Sequence, residues 1–416
     1  MDRLKKTAVW AVGVAAVVVT AVGCVERARA VQGEAALKEM VARYVGALEK
    51  AAGLPFKRPP VVARRTRAQI VEYARHKLDE ELSPAEFRGM ESAARMFGLL
   101  PESTDLRAAY LGVLGEQIAG FYDPDSSTLY VAADVQDSLM LRTTVAHELA
   151  HALQHQYTPV DSILHIKQNN DRRQAGLAAL EGHATVVQLL VMMPETDRAA
   201  LRQFSFWEQR SVINLQQQGM KEFAGAPLWL REVLVFPYLA GADFVTWYFA
   251  THENGVPFGA ALPTSTEQIL HTDRYAAGDA PTDLRFSAPG ADSVRFEDDL
   301  GEFEIRVLFQ ELLPDPSGLR AAALAAGWDG DRYQVLRAGV DADALVWFSV
   351  WDDAAAARRF ANSLRRAWPN RRPISGPARR TTIEEEAIGG RPGVRLVDAP
   401  ADWPGWSRVP RVSLTQ

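Results

Sequence analysis

The sequence predicts an α+β protein: a mainly helical domain carrying a small β element, followed by a small α+β module. Three observations predict it. Apolar residues recur at helical spacing from Val31 to about Tyr275. Two short β-rich runs, Ile118 to Tyr122 and Thr128 to Ala132, flank the turn signal DPDSS. From about Asp283 the pattern changes to strand, strand, helix and strand. The expected boundaries are a leader at 1–23, the helical domain at 24–282 and the module at 283–416.

Taken in order, Val31 to Gly53 is the first helix, with Leu37, Met40, Val41, Tyr44, Val45 and Leu48 on its apolar stripe. LPFKRPPVV breaks it. Thr66 to Leu78 is the second helix. Ser83 to Phe97 is the third, with Ser83 as N-cap and Pro84 at the first helical position. Leu106 to Gln117 is the fourth, and the β hairpin comes after it. Ser138 to Tyr157, Asp171 to Met193 and Ala199 to Met220 are expected as helices. Pro237 is expected to interrupt the next pattern, which resumes over Ala240 to Thr251. In the module, FEDDLGEFEIRVLFQELL reads as helix. Tyr333 to Ala338, Ala344 to Val350 and Val394 to Val397 read as strands. Asp353 to Trp368 reads as a helix with two aspartates at its positive end. Trp328, Trp347, Trp351 and Trp368 fit core packing.

The chain has 416 residues, 47% hydrophobic and 24% charged, ordinary for a globular protein. A net charge of −6 argues against nucleic-acid binding, whose footprint is basic. Arg3, Lys5 and Lys6 precede the uncharged run Thr7 to Val22, and Cys24 follows Ala21-Val22-Gly23. A basic start, an apolar run and small residues form a secretory signal. An uncleaved membrane anchor is the rival, because the uncharged run from Thr7 to Val25 has 19 residues, within the ~17–25 that span a bilayer. Cys24, the single cysteine, sits where a bacterial lipobox places its lipidated residue. The expectation is export, with lipid on Cys24 as the membrane anchor.

TTVAHELAHALQHQY, Thr143 to Tyr157, holds three of the eight histidines. His147 and His151 are four apart, on one helix face, where two imidazoles can share one Zn²⁺. Glu148 points about 100° around the helix. It lies beside such an ion and can take a proton from a bound water. His155 drifts off that face and is not a ligand. A catalytic zinc needs a third protein ligand and an open position. Glu181 is the one acid in the apolar stretch LAALEGHATVV, where an acid is costly unless paired or bound to metal. It is the expected third ligand. His183 points the other way and is set aside.

HELAH, with a later helix bearing AALEGHAT, resembles the gluzincin group of zinc metallopeptidases. The blocks GFYDPDSSTLYV, HELAHALQHQY, LAALEGHATVV, FPYLAGADFV and PTSTEQILHTDRY resemble, in order, a set of bacterial secreted proteins and lipoproteins with metallopeptidase-like domains. GWDGDRYQVLR and ALVWFSVWDDAAAARRF resemble the next segments of the same set. The resemblance implies a zincin-like domain binding one Zn²⁺ through His147, His151 and Glu181, with Glu148 as general base. It implies peptide or protein substrates in the bacterial cell envelope. Gluzincins often use a later His or Tyr at the oxyanion, and here His271, Tyr275 and Tyr238 are available, His271 first. The chain departs from the group at Thr185, where an aspartate often orients a ligand histidine. Thr185, Asp171 or Asp161 is expected to fill that role.

Two other readings stay open. One is a non-catalytic envelope lipoprotein that uses a metallopeptidase-like domain for binding. The other is a zinc amidase acting on cell-wall material. Glu267 is open to a structural role. TLYVA is open as an edge strand for an extended peptide or as a plain hairpin strand. The arginine-rich stretch from Ala357 to Thr381 reads as a solvated face, with contact to an anionic polymer as the alternative.

Overall fold

The computed structural model describes residues 26–135, 139–210, 219–253, 255–287, 294–314 and 318–415. The leader and Cys24 lie outside the described residues. The fold is α+β with a helical majority, as expected.

The first helix, α1 (Glu26–Ala52), starts earlier than the periodicity suggested. β1 (Val61–Arg65) comes next, where the prolines of LPFKRPP had read as a break. α2 (Arg67–Glu81) and α3 (Pro84–Phe97) each open on a capping box, built on Thr66 with Gln69 and on Ser83 with Glu86. α4 (Leu106–Gln117) is capped by Asp105. β2 (Gly120–Asp123) and β3 (Thr128–Ala132) form the expected hairpin. Asp123 closes its turn by accepting from the N–H groups of Asp125 and Ser126.

The three-stranded sheet has the order β1-β3-β2, with β1 parallel to β3. TLYVA is therefore the central strand and not an edge. Val61–Arg65 takes up the side that an extended peptide would have needed, in the register Val61↔Thr128.

Two largely buried helices, α5 (Leu139–His155) and α7 (Asn170–Met192), are joined through the short α6 (Asp161–Leu164). α5 is buried on every face between Thr144 and Gln154, which suits a helix at the centre of a fold. α1 lays Leu37, Val41 and Leu48 into the same apolar cluster as Val145, Leu149, Leu153 and Val187.

Of the expected helix from Ala199 to Met220, the described residues 199–209 form no α-helix. Glu195–Gln203 is a 3₁₀ helix, and 211–218 lie outside the described residues. Asp243 accepts from Ser205 Oγ and from the N–H groups of Phe206 and Trp207. Those bonds divert the chain from helical pairing. After α8 (Lys221–Gly225), α9 (Leu228–Thr251) runs without interruption through Pro237. Proline inside a helix costs about 3 kcal/mol. The burial of Phe236, Pro237, Leu239 and Ala240 offsets that cost.

α7 and α9 approach until their backbones touch. A Cβ on Gly182 would collide with the Gly241 carbonyl, and a Cβ on Gly241 with the Ala178 carbonyl. Both helices are long and apolar enough to cross a membrane by composition, yet 61% and 56% of their apolar windows are buried inside the fold.

α10 (Thr266–Leu270) and α11 (Thr272–Ala277) lead into β4 (Leu284–Phe286), which pairs with β10 (Val412–Leu414) at the C-terminus. The module is a five-stranded antiparallel sheet, order β5-β6-β7-β9-β8. Its strands are β5 (Val294–Asp298), β6 (Trp328–Arg337), β7 (Asp343–Trp351), β8 (Arg379–Ile388) and β9 (Arg391–Pro400). The first residues of the expected FEDDL helix are β5, and α12 (Gly301–Leu312) starts after them. The short α13 (Leu319–Ala325) and then α14 (Ala354–Ala367), N-capped by Asp353, complete it.

The four tryptophans expected in the core, Trp328, Trp347, Trp351 and Trp368, are all buried. Arg371 and Arg379 of the arginine-rich stretch turn inward onto the buried Asp398. One apolar cluster joins Phe97, Phe236 and Phe303 to Trp347 and Leu396, so the core runs across position 283.

Candidate metal centre

α5 and α7 lie side by side, and α7 is set by its glycine contact with α9. This places three side chains together. Nε2 of His147 lies 3.2 Å from Oε2 of Glu181. Nε2 of His151 lies 3.1 Å from Nε2 of His147 and 3.3 Å from the same Glu181 oxygen. The three residues are 3–6% exposed.

These distances test whether the residues fit zinc. Ligand atoms ~2.0–2.1 Å from a tetrahedral ion stand ~3.3 Å from one another. The triangle of 3.1, 3.2 and 3.3 Å has that size, and its two imidazoles and one carboxylate are a zinc donor set. The residues fit the ion. His147, His151 and Glu181, expected together from the sequence, come together in space.

Glu148 is 1% exposed and accepts the backbone N–H of Tyr122 at 2.8 Å. This bond links the end of β2 to the site. Burial pushes the Glu148 carboxyl above the usual carboxylate range. Burial opposes ionisation of Glu181 as well, but His151 and His147 hold it down at about 2. The same pairing raises His151 to about 9 against the effect of its burial. Without metal, the proton shared by this pair supplies the compensating charge, and an ion entering the site displaces it.

Tyr238, on α9, is the later residue that reaches the site. Its ring stacks on His147, with centroids 5.9 Å apart. Burial, then the nearby Glu181 and Glu148, raises the pKa of its hydroxyl well above the ordinary value. The hydroxyl therefore stays a donor. His271 is not brought to the cluster. It sits at the junction of α10 and α11, where Nε2 lies 3.0 Å from Oε1 of Glu302 and 2.9 Å from Arg306. Glu267 is buried in the same region, and burial with Glu302 nearby pushes it up to about 9. Tyr275 donates to the Ala261 carbonyl at 2.7 Å.

For His151 the partner is none of the three expected residues. His151 Nδ1 meets Oε1 of Gln154 at 2.9 Å. Asp171 accepts from the backbone N–H and the hydroxyl of Thr266 instead. Thr185 is only half-buried, and the Asp161 side chain lies outside the described residues. Gln154 was legible in principle: positions 147, 151 and 154 form one helical stripe, and a glutamine there must find partners when buried. His155 is set apart as expected, with Nδ1 2.9 Å from the Tyr122 hydroxyl. His183 is fully buried against Phe249 and Phe258, and burial, then His151, lowers it to about 3.

Residues 292–395 match a family described as a domain of unknown function (DUF8575). That segment spans most of the five-stranded sheet and holds none of the metal-centre residues. No curated protein and no solved structure matches the chain.

Proposed function

We propose that this chain is a zinc metallopeptidase of the cell envelope, held to a membrane through lipid on Cys24. The observation that carries the reading is the buried His147, His151 and Glu181 triangle of zinc dimensions with Glu148 beside it. Bound zinc supplies a Lewis acid and lowers the pKa of a bound water to about 7. His147, His151 and Glu181 would hold it. Glu148 receives the water proton on a carboxylate oxygen and passes it to the leaving amine. Its raised affinity for a proton suits that work near neutral pH. The Tyr122 N–H orients Glu148 by fixing one of its carboxylate oxygens. Tyr238, a half-buried donor beside Glu181, is the residue available to a developing oxyanion.

The test is metal analysis of the purified chain and digestion of a broad peptide library by wild type and Glu148→Gln. One zinc per chain with cleavage that Glu148→Gln abolishes is expected. Cleavage that survives Glu148→Gln would sink the mechanism.

A second reading, structural zinc in a non-catalytic lipoprotein, has one observation in its favour. Glu148 and all three ligands are at most 6% exposed, whereas a substrate carbonyl needs access. Stoichiometric zinc with no cleavage of any peptide would favour it.

A further inference from the structure

We propose that Gln154 is a positioning residue of the metal centre: clamped by the backbone of the opposite helix, it fixes the tautomer of His151 so that Nε2 presents a lone pair to the ion. The inference rests on the zinc reading above.

Gln154 is fully buried, one turn after His151 on α5. Its Nε2 lies 2.8 Å from the Leu180 carbonyl on α7 and 3.0 Å from Nδ1 of His183. A carbonyl oxygen can only accept, so the amide must turn its NH₂ toward Leu180. Its oxygen then faces His151 Nδ1 at 2.9 Å. An amide oxygen also only accepts, so Nδ1 of His151 carries the hydrogen. In the neutral ring Nε2 is left with the lone pair, and it faces His147 Nε2 and Glu181 Oε2.

The order of constraint runs from backbone to ligand. The Leu180 carbonyl belongs to the residue before Glu181. One amide thereby ties the orientation of His151 to the helix turn that carries the third ligand. His183 completes the clamp by accepting the second N–H of the amide, which a fully buried donor requires. Ligand histidines almost always donate their second nitrogen to such a partner, commonly a carboxylate or a backbone carbonyl. Here a neutral amide does it from the histidine's own helix.

The test uses the full chain. Zinc affinity is measured by chelator competition for wild type and Gln154→Met, which keeps the volume and removes both polar ends. A tenfold to hundredfold loss is expected. Long-range ¹⁵N–¹H NMR on the zinc-loaded wild type is expected to place the His151 hydrogen on Nδ1 and the metal on Nε2. In Gln154→Glu, which keeps an acceptor and adds charge, the Nδ1–H resonance is expected to move downfield. A hydrogen on Nε2 in wild type, an unmoved resonance in Gln154→Glu, or equal affinity in Gln154→Met overturns the proposal. A wild type that binds no zinc at all overturns the metal reading, and the proposal with it. Wild-type affinity thus separates the two failures, and the NMR arms hold even if Gln154→Met does not fold.

Discussion

The backbone N–H of Asp171 donates to Oδ1 of Asp299 at 2.7 Å, and that of Asn170 to Oδ1 of Asp298 at 2.8 Å. The first N–H groups of a helix have no partner within it. Here the module supplies them to α7, the helix that carries Glu181. Asp298 also accepts the N–H of Asp299 at 3.0 Å. Asp298→Ala would leave these buried donors unmade, at a cost of about 1–3 kcal/mol. Asp298→Asn keeps an acceptor and is expected to lose less than half as much. Urea unfolding measures both, and an alanine variant as stable as wild type would refute the anchoring role.

The same junction predicts a pH dependence. Burial, with Asp331 and Glu302 nearby, pushes Asp171 up from 3.8 to about 8. Burial raises Glu304, which accepts from Asn170 Nδ2, from 4.5 to about 7. Between these limits the folded chain binds more protons than the unfolded one. The contribution of each group is full below its unfolded value and is lost as pH rises through its folded value. Glu304→Gln imitates the protonated acid. It is expected to match wild type near pH 4 and to exceed it in urea midpoint at pH 9. A difference that is the same at both pH values would sink the assignment.

Gly182 adjoins Glu181 and touches the Gly241 backbone, so Gly182→Ala forces α7 from α9. Overpacking that shifts side chains and backbone costs about 1–3 kcal/mol and occasionally more, and the atom met here is the Gly241 carbonyl carbon, 2.1 Å from the added Cβ. Gly182→Ala is therefore expected to exceed that range, seen as a large fall in Tm. A Tm within a few degrees of wild type would show that the helices can separate freely. This contact marks what the sequence could not disclose. HELAH and Glu181 were legible because residue type and helical spacing alone specify them. The glycine contact, the passage of α9 through Pro237 and the covering of TLYVA by β1 depend on which segments meet in space. Local propensity carries no record of that. His271 lies away from the site for the same reason: Glu302 and Arg306, distant in sequence, hold the ring elsewhere.

Metal removal tests the triangle directly. An ion that binds only the folded chain stabilises it by about 2.7 kcal/mol at a hundredfold excess over Kd. Chelation is expected to lower the Tm of wild type, and added zinc to restore it. Glu181→Ala is expected to lose the zinc response and most bound metal. Its Tm before zinc addition reports whether the variant folds. An unchanged zinc stoichiometry in Glu181→Ala would remove Glu181 from the ligand set.

Tyr238 divides the catalytic reading from the structural one at a single atom. Its hydroxyl feels the charge of Glu181 and its ring stacks on His147. Tyr238→Phe keeps the ring and removes only the hydroxyl. If that group stabilises an oxyanion, peptide hydrolysis falls about 10²–10³-fold in kcat, the usual loss for one such donor. Zinc stoichiometry then stays at one per chain, because the three ligands are untouched. If the hydroxyl only steadies the Glu181 carboxylate, zinc affinity falls and kcat at saturating zinc does not. Measuring both quantities on the same preparation decides between them, since the two roles move opposite observables.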